Sequence, residues 1–192
     1  MMLWMRLTGA LLSISLLGGC AGLLIGGAAV GVSVAHDRRT TGTVVDDQSI
    51  ELKVFDALNQ KLPPGNRISA TCYNGAVLLT GEVVSEAVKQ KAEPIVRGVT
   101  PPVREVYNEL VVGAPRPFSA RSNDGLLTTK VKAALFQVKI DDFDPTRVKV
   151  ITDRGVVYLM GLVRPSEADA SANVASQVSG VRQVVTLFEY IN

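Results

Sequence analysis

"RISATCYNGAVLLTGEV" at residues 67–83 returns later in the chain as "RVKVITDRGVVYLMGLV" at residues 147–163. In each copy, apolar residues alternate with other residues before a two-residue turn. The turn residues are Asn74-Gly75 in the first copy and Arg154-Gly155 in the second. Alternation with a period of two predicts β-strands. A glycine at the second turn position accepts the positive φ that a tight hairpin requires. Each copy therefore predicts one β-hairpin.

Two further stretches repeat around these hairpins in the same order. The matching pairs are "DQSIELKVFDAL" (47–58) with "DGLLTTKVKAAL" (124–135), and "VREVYNEL" (103–110) with "VRQVVTLF" (181–188). The first pair carries apolar residues at helical spacing and predicts an amphipathic helix, whereas the second predicts a strand. A further helix is predicted between hairpin and final strand, at about 86–97 and 167–178.

These elements predict an α+β fold made of two tandem units. Each unit has the order α-β-β-α-β, with two helices packed on a small three-stranded mixed sheet. A unit of this size can fold when both helices cover one face of the sheet. The first unit is placed at 47–112 and the second at 123–192, with a proline-bearing linker at 113–122.

The start of the chain has the pattern of an export signal. Arg6 precedes an apolar run from Leu7 to Leu17, and small residues follow. Residues 17–20, "LGGC", look like a bacterial lipobox, in which the cysteine becomes the acylated first residue of the mature protein. We therefore expect a signal peptide at 1–19, lipid on Cys20 and a flexible tether through residue 46.

A membrane-spanning helix is the alternative for this segment, because the stretch from Leu7 to Ala35 is long enough to cross a bilayer. Recurring glycines after residue 17 make its second half a poor helix former, which favours the lipoprotein interpretation. By resemblance to such lipoproteins, Ala21 after the cysteine points to the outer membrane, facing the periplasm. Several long acyl chains would hold the protein there almost irreversibly.

Composition argues against several classes of function. The net charge of +2 is too small to indicate a nucleic-acid-binding protein. Two cysteines, Cys20 and Cys72, and one histidine, His36, make a metal site improbable. Cys72 alternates inward with apolar neighbours and is expected to be a small buried residue. The sequence shows no catalytic constellation and no cofactor motif, so we expect a protein that is not an enzyme.

At this point the repeats carry a resemblance. "NGAVLLTGEV", "RGVVYLMGLV" and the closing "VSGVRQVV", together with Val131 and Leu135 in the first helix of the second unit, resemble the BON domain (bacterial OsmY and nodulation). The resemblance to lipid-anchored proteins with two such domains implies a role in outer-membrane integrity and the stress response, and enrichment at division sites. It also implies binding of the anionic phospholipids phosphatidylglycerol and cardiolipin. The resemblance assigns lipid contact to the first helix of the second domain. It also leaves an alternative, a periplasmic adaptor for outer-membrane protein assembly or for regulators of cell-wall amidases.

The repeat offers an internal comparison for that helix. Ser49, Asp56 and Asn59 of the first copy are replaced by apolar residues in the second, and two lysines lie beside them. Apolar side chains flanked by lysines are typical of a helix that lies at an anionic bilayer surface. The expected phospholipid-binding residues are Leu126, Thr129, Lys130, Lys132, Ala133 and Phe136.

Two points bear on this expectation. The same apolar residues could instead pack against the first domain, since apolar surface in a two-domain chain often forms the domain interface. By the same resemblance, BON proteins of this kind commonly have a tryptophan at the position of Leu126. Tryptophan is the stronger anchor at a membrane interface.

Overall fold

The computed structural model of the protein describes residues 37–192. The expected signal peptide, the lipidation site Cys20 and the tether up to His36 lie outside the described residues. Within residues 37–192, every helix is too short or too polar to cross a membrane.

The first domain follows the predicted order and splits its last strand into two short pieces. Its elements are α1 (Thr41–Lys61), β1 (Arg67–Tyr73), β2 (Ala76–Val83), α2 (Glu86–Arg97), β3 (Glu105–Asn108) and β4 (Val111–Val112). β1 pairs with β2 antiparallel, whereas β3 and β4 both pair with β2 in parallel, so the sheet is mixed.

The second domain repeats this architecture. Its elements are α3 (Phe118–Leu135), a 3₁₀ turn (Pro145–Arg147), β5 (Lys149–Asp153), β6 (Val156–Val163), α4 (Pro165–Ser176) and β7 (Gln183–Tyr190). β6 is the central strand, antiparallel to β5 and parallel to β7. The α+β class and the α-β-β-α-β order are therefore confirmed in both halves.

Both first helices begin earlier than the sequence predicted. α1 begins at Thr41 because the Thr40 hydroxyl accepts a hydrogen bond from the Thr43 backbone N–H at 3.1 Å. The predicted tether through residue 46 is thus wrong at its end. α3 begins at Phe118, directly after Pro117. Proline has a fixed φ that suits a helix start, and the helix takes in residues 118–122 of the predicted linker.

The hairpin turns have the predicted geometry. Residues 74 and 75 have φ of 50° and 75°, and residues 154 and 155 have φ of 54° and 72°. Positive φ at both central residues defines the type I′ turn, which matches the twist of the flanking strands. The Asp47 carboxylate accepts both turn N–H groups at 2.7 and 2.8 Å, and Asp124 does the same in the second copy at 3.1 and 3.0 Å.

Each sheet is covered by helices on one face and by the other sheet on its opposite face. The outer faces pack on the helices through buried residues such as Val54, Val77 and Leu79 in the first domain. The inner faces of the two sheets meet in a third apolar cluster, formed by Tyr73, Leu78, Tyr158, Met160 and Leu162. Residues 37–192 therefore form four layers, in the order helices, sheet, sheet, helices, and one compact unit.

Candidate functional site

One side of α3 anchors the helix to its own domain. Leu127, Val131 and Leu135 are buried and pack in the core of the second domain. They recur at helical spacing, so the opposite side of the helix must face away from that core. The predicted amphipathic helix is confirmed, and its buried stripe fixes which side chains α3 presents outward.

The six expected phospholipid-binding side chains all lie at the surface. Leu126 is 63% exposed, and Phe136, at the end of the helix, is 73% exposed. The rival expectation, that these two side chains pack against the first domain, is therefore wrong: the first domain packs through the inner face of its sheet instead. α3 lies on the outside of the four-layer arrangement and keeps its outward face free.

The sequence interpretation missed one residue of this outward face. Phe118 is the first residue of α3 and is 75% exposed. At 100° per residue it lies on the same side as Phe136, and the two positions are separated by about 27 Å of helix. Pro117 directly before an aromatic residue is a helix-start signal that could have placed Phe118 in the helix rather than in the linker.

The charge on the outward face of α3 has one sign. Lys130 and Lys132 are exposed beside the apolar residues. Asp124 is the single acidic residue of the helix, and it is 8% exposed. Its carboxylate is bound by the hairpin N–H groups and by Arg116, 2.8 Å away. We shall call the exposed side of α3, with Phe118, Leu126, Lys130, Lys132 and Phe136, the α3 face.

The first domain also exposes apolar side chains on its first helix. On α1, Leu52 is 68% exposed and Phe55 is 54% exposed. Asp46 and Asp56 are exposed on the same helix. The two helices thus differ in the charge that surrounds their apolar residues more than in apolarity itself.

The segment in front of α1 is fixed to the second domain. Arg38 donates two hydrogen bonds to the Glu167 carboxylate, at 2.6 and 2.8 Å, and one to the Leu162 carbonyl at 2.9 Å. Glu167 is fully buried, and the Arg38 hydrogen bond lowers the pKa of its carboxyl below the ordinary value. The residues directly before α1 are therefore attached to the second domain as well as to the first.

The linker between the domains also joins them, through Arg116. Arg116 binds Glu82 of the first domain at 2.7 Å, and it also binds Asp124 and Asp153 of the second domain. Glu82 is 1% exposed and has a second partner in Arg154 at 3.1 Å. Buried carboxylates held by arginines across the contact join the two domains.

Cys72 lies in the core of the first domain, as predicted. Its thiol donates a hydrogen bond to Asp47 at 3.2 Å, and burial raises the pKa of the thiol. A buried thiol with a raised pKa is a poor nucleophile at neutral pH, because the thiolate is the reactive form. Cys72 is therefore a packing residue.

The two repeats match a known domain model. The model for the BON domain matches residues 46–114 and again residues 123–192, which together are most of the chain. The chain belongs to the BON-domain family. This BON protein has one domain on each side of its proline-bearing linker.

Relatives of this BON protein resemble it along most of both chains. "Outer membrane lipoprotein DolP" of Haemophilus influenzae is 43% identical, over 91% of this chain and 90% of that protein. "21 kDa hemolysin" of Actinobacillus pleuropneumoniae is 36% identical, over 81% and 79%. "Osmotically-inducible protein Y" of Escherichia coli is 32% identical, over 80% and 77%. The chain is thus a dual-BON protein of the DolP type.

Proposed function

We propose that this dual-BON protein is a lipoprotein of the outer membrane, anchored through acylated Cys20 and facing the periplasm. In this proposal it binds anionic phospholipids, phosphatidylglycerol and cardiolipin, through the α3 face, and it supports outer-membrane integrity at division sites. The function is one of binding, without catalysis. The observation that carries the proposal is the α3 face itself, an exposed row of large apolar side chains with lysines and no outward carboxylate.

The chemistry of the α3 face suits a shallow position in a bilayer. Phe118, Leu126 and Phe136 would enter the boundary between headgroups and acyl chains, where burying each side chain is worth roughly 1.5–3 kcal/mol. Lys130 and Lys132 would remain at phosphate level, where each basic group adds about 1 kcal/mol on an anionic surface.

Two observations support lipid anchoring. The pattern "LGGC" at residues 17–20 matches a lipobox, and the relative from Haemophilus influenzae is named an outer membrane lipoprotein. An anchored protein meets lipid at a high effective concentration, so the α3 face needs only modest intrinsic affinity. Placement at division sites rests on the BON resemblance alone.

The test uses residues 37–192 without the anchor, because these residues contain all three apolar clusters in one compact unit. Sedimentation with phosphatidylglycerol vesicles and with phosphatidylcholine vesicles measures binding. We expect binding to the anionic vesicles, and we expect Leu126→Asp to weaken it by at least about tenfold, since a buried leucine is lost and a negative charge is added.

The matched control is Leu52→Asp, which makes the same change at an equally exposed site on α1. We expect this variant to bind vesicles as the unchanged protein does. Failure of the unchanged protein to bind anionic vesicles, or equal losses in the two variants, contradicts the proposed function.

A protein-binding adaptor is the second candidate, and one observation favours it. A cavity of about 320 Å³ lies at the end of α1, lined by Phe55, Leu58, Leu62 and Ile68 among others. Asn59 and Asn66 also line it, and a cavity with apolar walls and a few polar groups is a common feature of binding sites. The adaptor alternative predicts that Phe55→Asp, at the wall of this cavity, abolishes capture of an envelope protein by the anchored chain, with vesicle binding retained.

A further inference from the structure

A cleft of about 360 Å³ lies where the end of α3 approaches the first domain. Three segments supply its walls: Lys132 and Phe136 from α3, Thr146 and Lys149 from the start of β5 and the turn before it, and Arg39 and Tyr73 from the first domain. Phe136 and Lys132 belong to the α3 face, so the cleft is continuous with that surface.

Two cations of this cleft, Lys149 and Arg39, are held by acidic partners. The Lys149 ammonium donates to Glu51 at 2.8 Å and to the Cys72 carbonyl at 3.1 Å. The Arg39 guanidinium lies over the Tyr73 ring, 3.8 Å from its centre, and binds Asp47 at 2.8 Å. Arg39 also binds Asp37 at 2.7 Å, and Asp37, Asp47 and Glu51 do not line the cleft.

Lys132 is the third cationic side chain that lines the cleft. Within residues 37–192 its ammonium has no ion-pair partner, and the residue is exposed. The described walls of the cleft include three cationic side chains and no carboxylate. Arg39 and Lys149 are already positioned by their carboxylate partners, and Lys132 adds a charge that no described carboxylate offsets, so the cleft favours a small anion.

The remaining walls indicate what kind of anion fits. Phe136, Pro145 and Val148 give the cleft an apolar side next to the cations. A free phosphate ion would leave that apolar side in water, whereas a glycerophospholipid would cover it with glycerol and the first methylenes of its acyl chains. Lysine is a good partner for a phosphodiester, which carries one negative charge.

We infer that this cleft holds the phosphate of a single anionic glycerophospholipid, whose acyl chains pass Phe136 into the bilayer. The inference rests on the proposed function and adds a headgroup subsite to it. It gives the first domain, through Arg39 and Tyr73, a direct part in lipid binding. It also places the segment at residue 39 beside bound lipid.

The experiment compares Lys149→Gln with the unchanged residues 37–192 on phosphatidylglycerol vesicles. Lys149 lies in β5, outside α3, so the substitution leaves the α3 face intact. We expect binding to fall about fivefold, the factor that corresponds to one basic group near an anionic surface. The control, Lys91→Gln on α2, removes the same charge from an exposed site outside the cleft and is expected to bind normally.

A second measurement on the unchanged protein keeps the inference testable if Lys149→Gln fails to fold. In NMR titrations, dissolved short-chain phosphatidylglycerol should shift the backbone amides of Tyr73, Thr146 and Lys149. Inorganic phosphate at the same concentration should shift them far less. Equal shifts with both ligands would assign the cleft to phosphate alone and overturn the lipid subsite.

The outcomes separate the two proposals. If the unchanged protein ignores anionic vesicles, both the proposed function and the subsite fail. If it binds, and Leu126→Asp weakens binding while Lys149→Gln does not, the α3 face is retained and the subsite is overturned. Amide shifts confined to α3, with none at Tyr73 or Thr146, overturn the subsite in the same way.

Discussion

At the scale of single residues, two glycines differ in whether the fold has room for a side chain at their position. Gly81 lies inside β2 with φ of 116°, and a Cβ added there would overlap the Arg67 carbonyl oxygen. Gly125 lies in the middle of α3, and a Cβ added there meets no atom within 4 Å. The first glycine is required by close packing of neighbouring strands, whereas the second only weakens its helix.

Gly81→Ala is therefore expected to lower the free energy of unfolding by about 2 kcal/mol or more, because the new methyl group forces the strands apart at a left-handed backbone position. Gly125→Ala is expected to raise it by about 1 kcal/mol, the helix-propensity difference between the two residues. Chemical denaturation of residues 37–192 measures both. A loss of stability in Gly125→Ala would contradict the described environment of that residue.

Arg38 and Glu167 give a prediction that depends on pH. Arg38→Gln leaves a fully buried carboxylate with only the Arg164 backbone N–H, and we expect a loss of about 3 kcal/mol at pH 7. The Arg38 hydrogen bond lowers the pKa of Glu167 in the folded protein, so its stabilisation is present above the ordinary pKa of 4.5. That stabilisation is lost as the pH falls further, through the lowered pKa.

The difference in stability between Arg38→Gln and the unchanged protein should consequently shrink as the pH is lowered below about 4.5. Denaturation curves of the two proteins at pH 7 and at several acidic pH values measure this difference. A difference that stays constant or grows in acid would show that Glu167 is not held ionised by Arg38.

Residue-level features divide into those that sequence could predict and those that it could not. The turns at Asn74-Gly75 and Arg154-Gly155 could be predicted, because positive φ is a local requirement that glycine satisfies. The pairing of Arg38 with Glu167 joins residues far apart in the chain. A single sequence offers no local signal for such a contact, since arginine and glutamate are also common on exposed surfaces.

At the scale of elements, α1 and α3 are repeats with different surfaces. Both bury a stripe of three large apolar residues, and both expose apolar side chains on the other side. α1 also exposes Asp46 and Asp56, whereas the single acid of α3, Asp124, is buried. Carboxylates repel an anionic bilayer, so α3 is the helix that suits it.

Phe118 extends the α3 face to the start of the helix, and this extension can be tested by itself. Phe118→Asp is expected to weaken binding to anionic vesicles by at least about tenfold while leaving the fold unchanged, because the side chain is 75% exposed. Phe55→Asp on α1 provides the matched change and should bind normally. Normal binding by Phe118→Asp would limit the lipid contact to the second half of α3.

The start of α3 also marks a limit of the sequence prediction. Residues 118–122 lack apolar periodicity, so the sequence pattern predicts a linker there although Pro117 signals a helix start. The remaining positions of the α3 face followed from the helical spacing of Leu127, Val131 and Leu135. Periodicity located the face, and only its N-terminal end was missed.

At the scale of the whole molecule, the two domains are joined by apolar packing between sheets and by buried ion pairs. The strands β2 and β6 contain continuous apolar runs, "AVLL" and "VVYLM", which are typical of strands that are buried on both faces. Those runs were a signal for the contact between sheets. The match between the two repeats carries no information on this contact, because it relates equivalent positions of separate domains.

Arg116→Gln tests whether the two domains unfold together. The substitution removes one partner of Glu82, Asp124 and Asp153, and we expect a loss of about 3 kcal/mol and a separation of one calorimetric transition into two. Arg104→Gln is the control, since its pair with Glu189 also joins the domains but is exposed. That variant should lose less than about 1 kcal/mol. A single transition of unchanged midpoint in Arg116→Gln would contradict the role given to the ion pairs.

The contact of α3 with lipid is measured most directly by a tryptophan placed on the α3 face. Trp4 is the single tryptophan of the chain and precedes residues 37–192, so Leu126→Trp in those residues reports from one known position. With anionic vesicles that contain brominated phospholipid, we expect its fluorescence to shift to shorter wavelength and to be quenched by bromine near the headgroups. Leu52→Trp on α1 should keep the emission of a residue in water. Unchanged emission of Leu126→Trp in the presence of vesicles, or equal quenching at both positions, would contradict a membrane-binding role for α3.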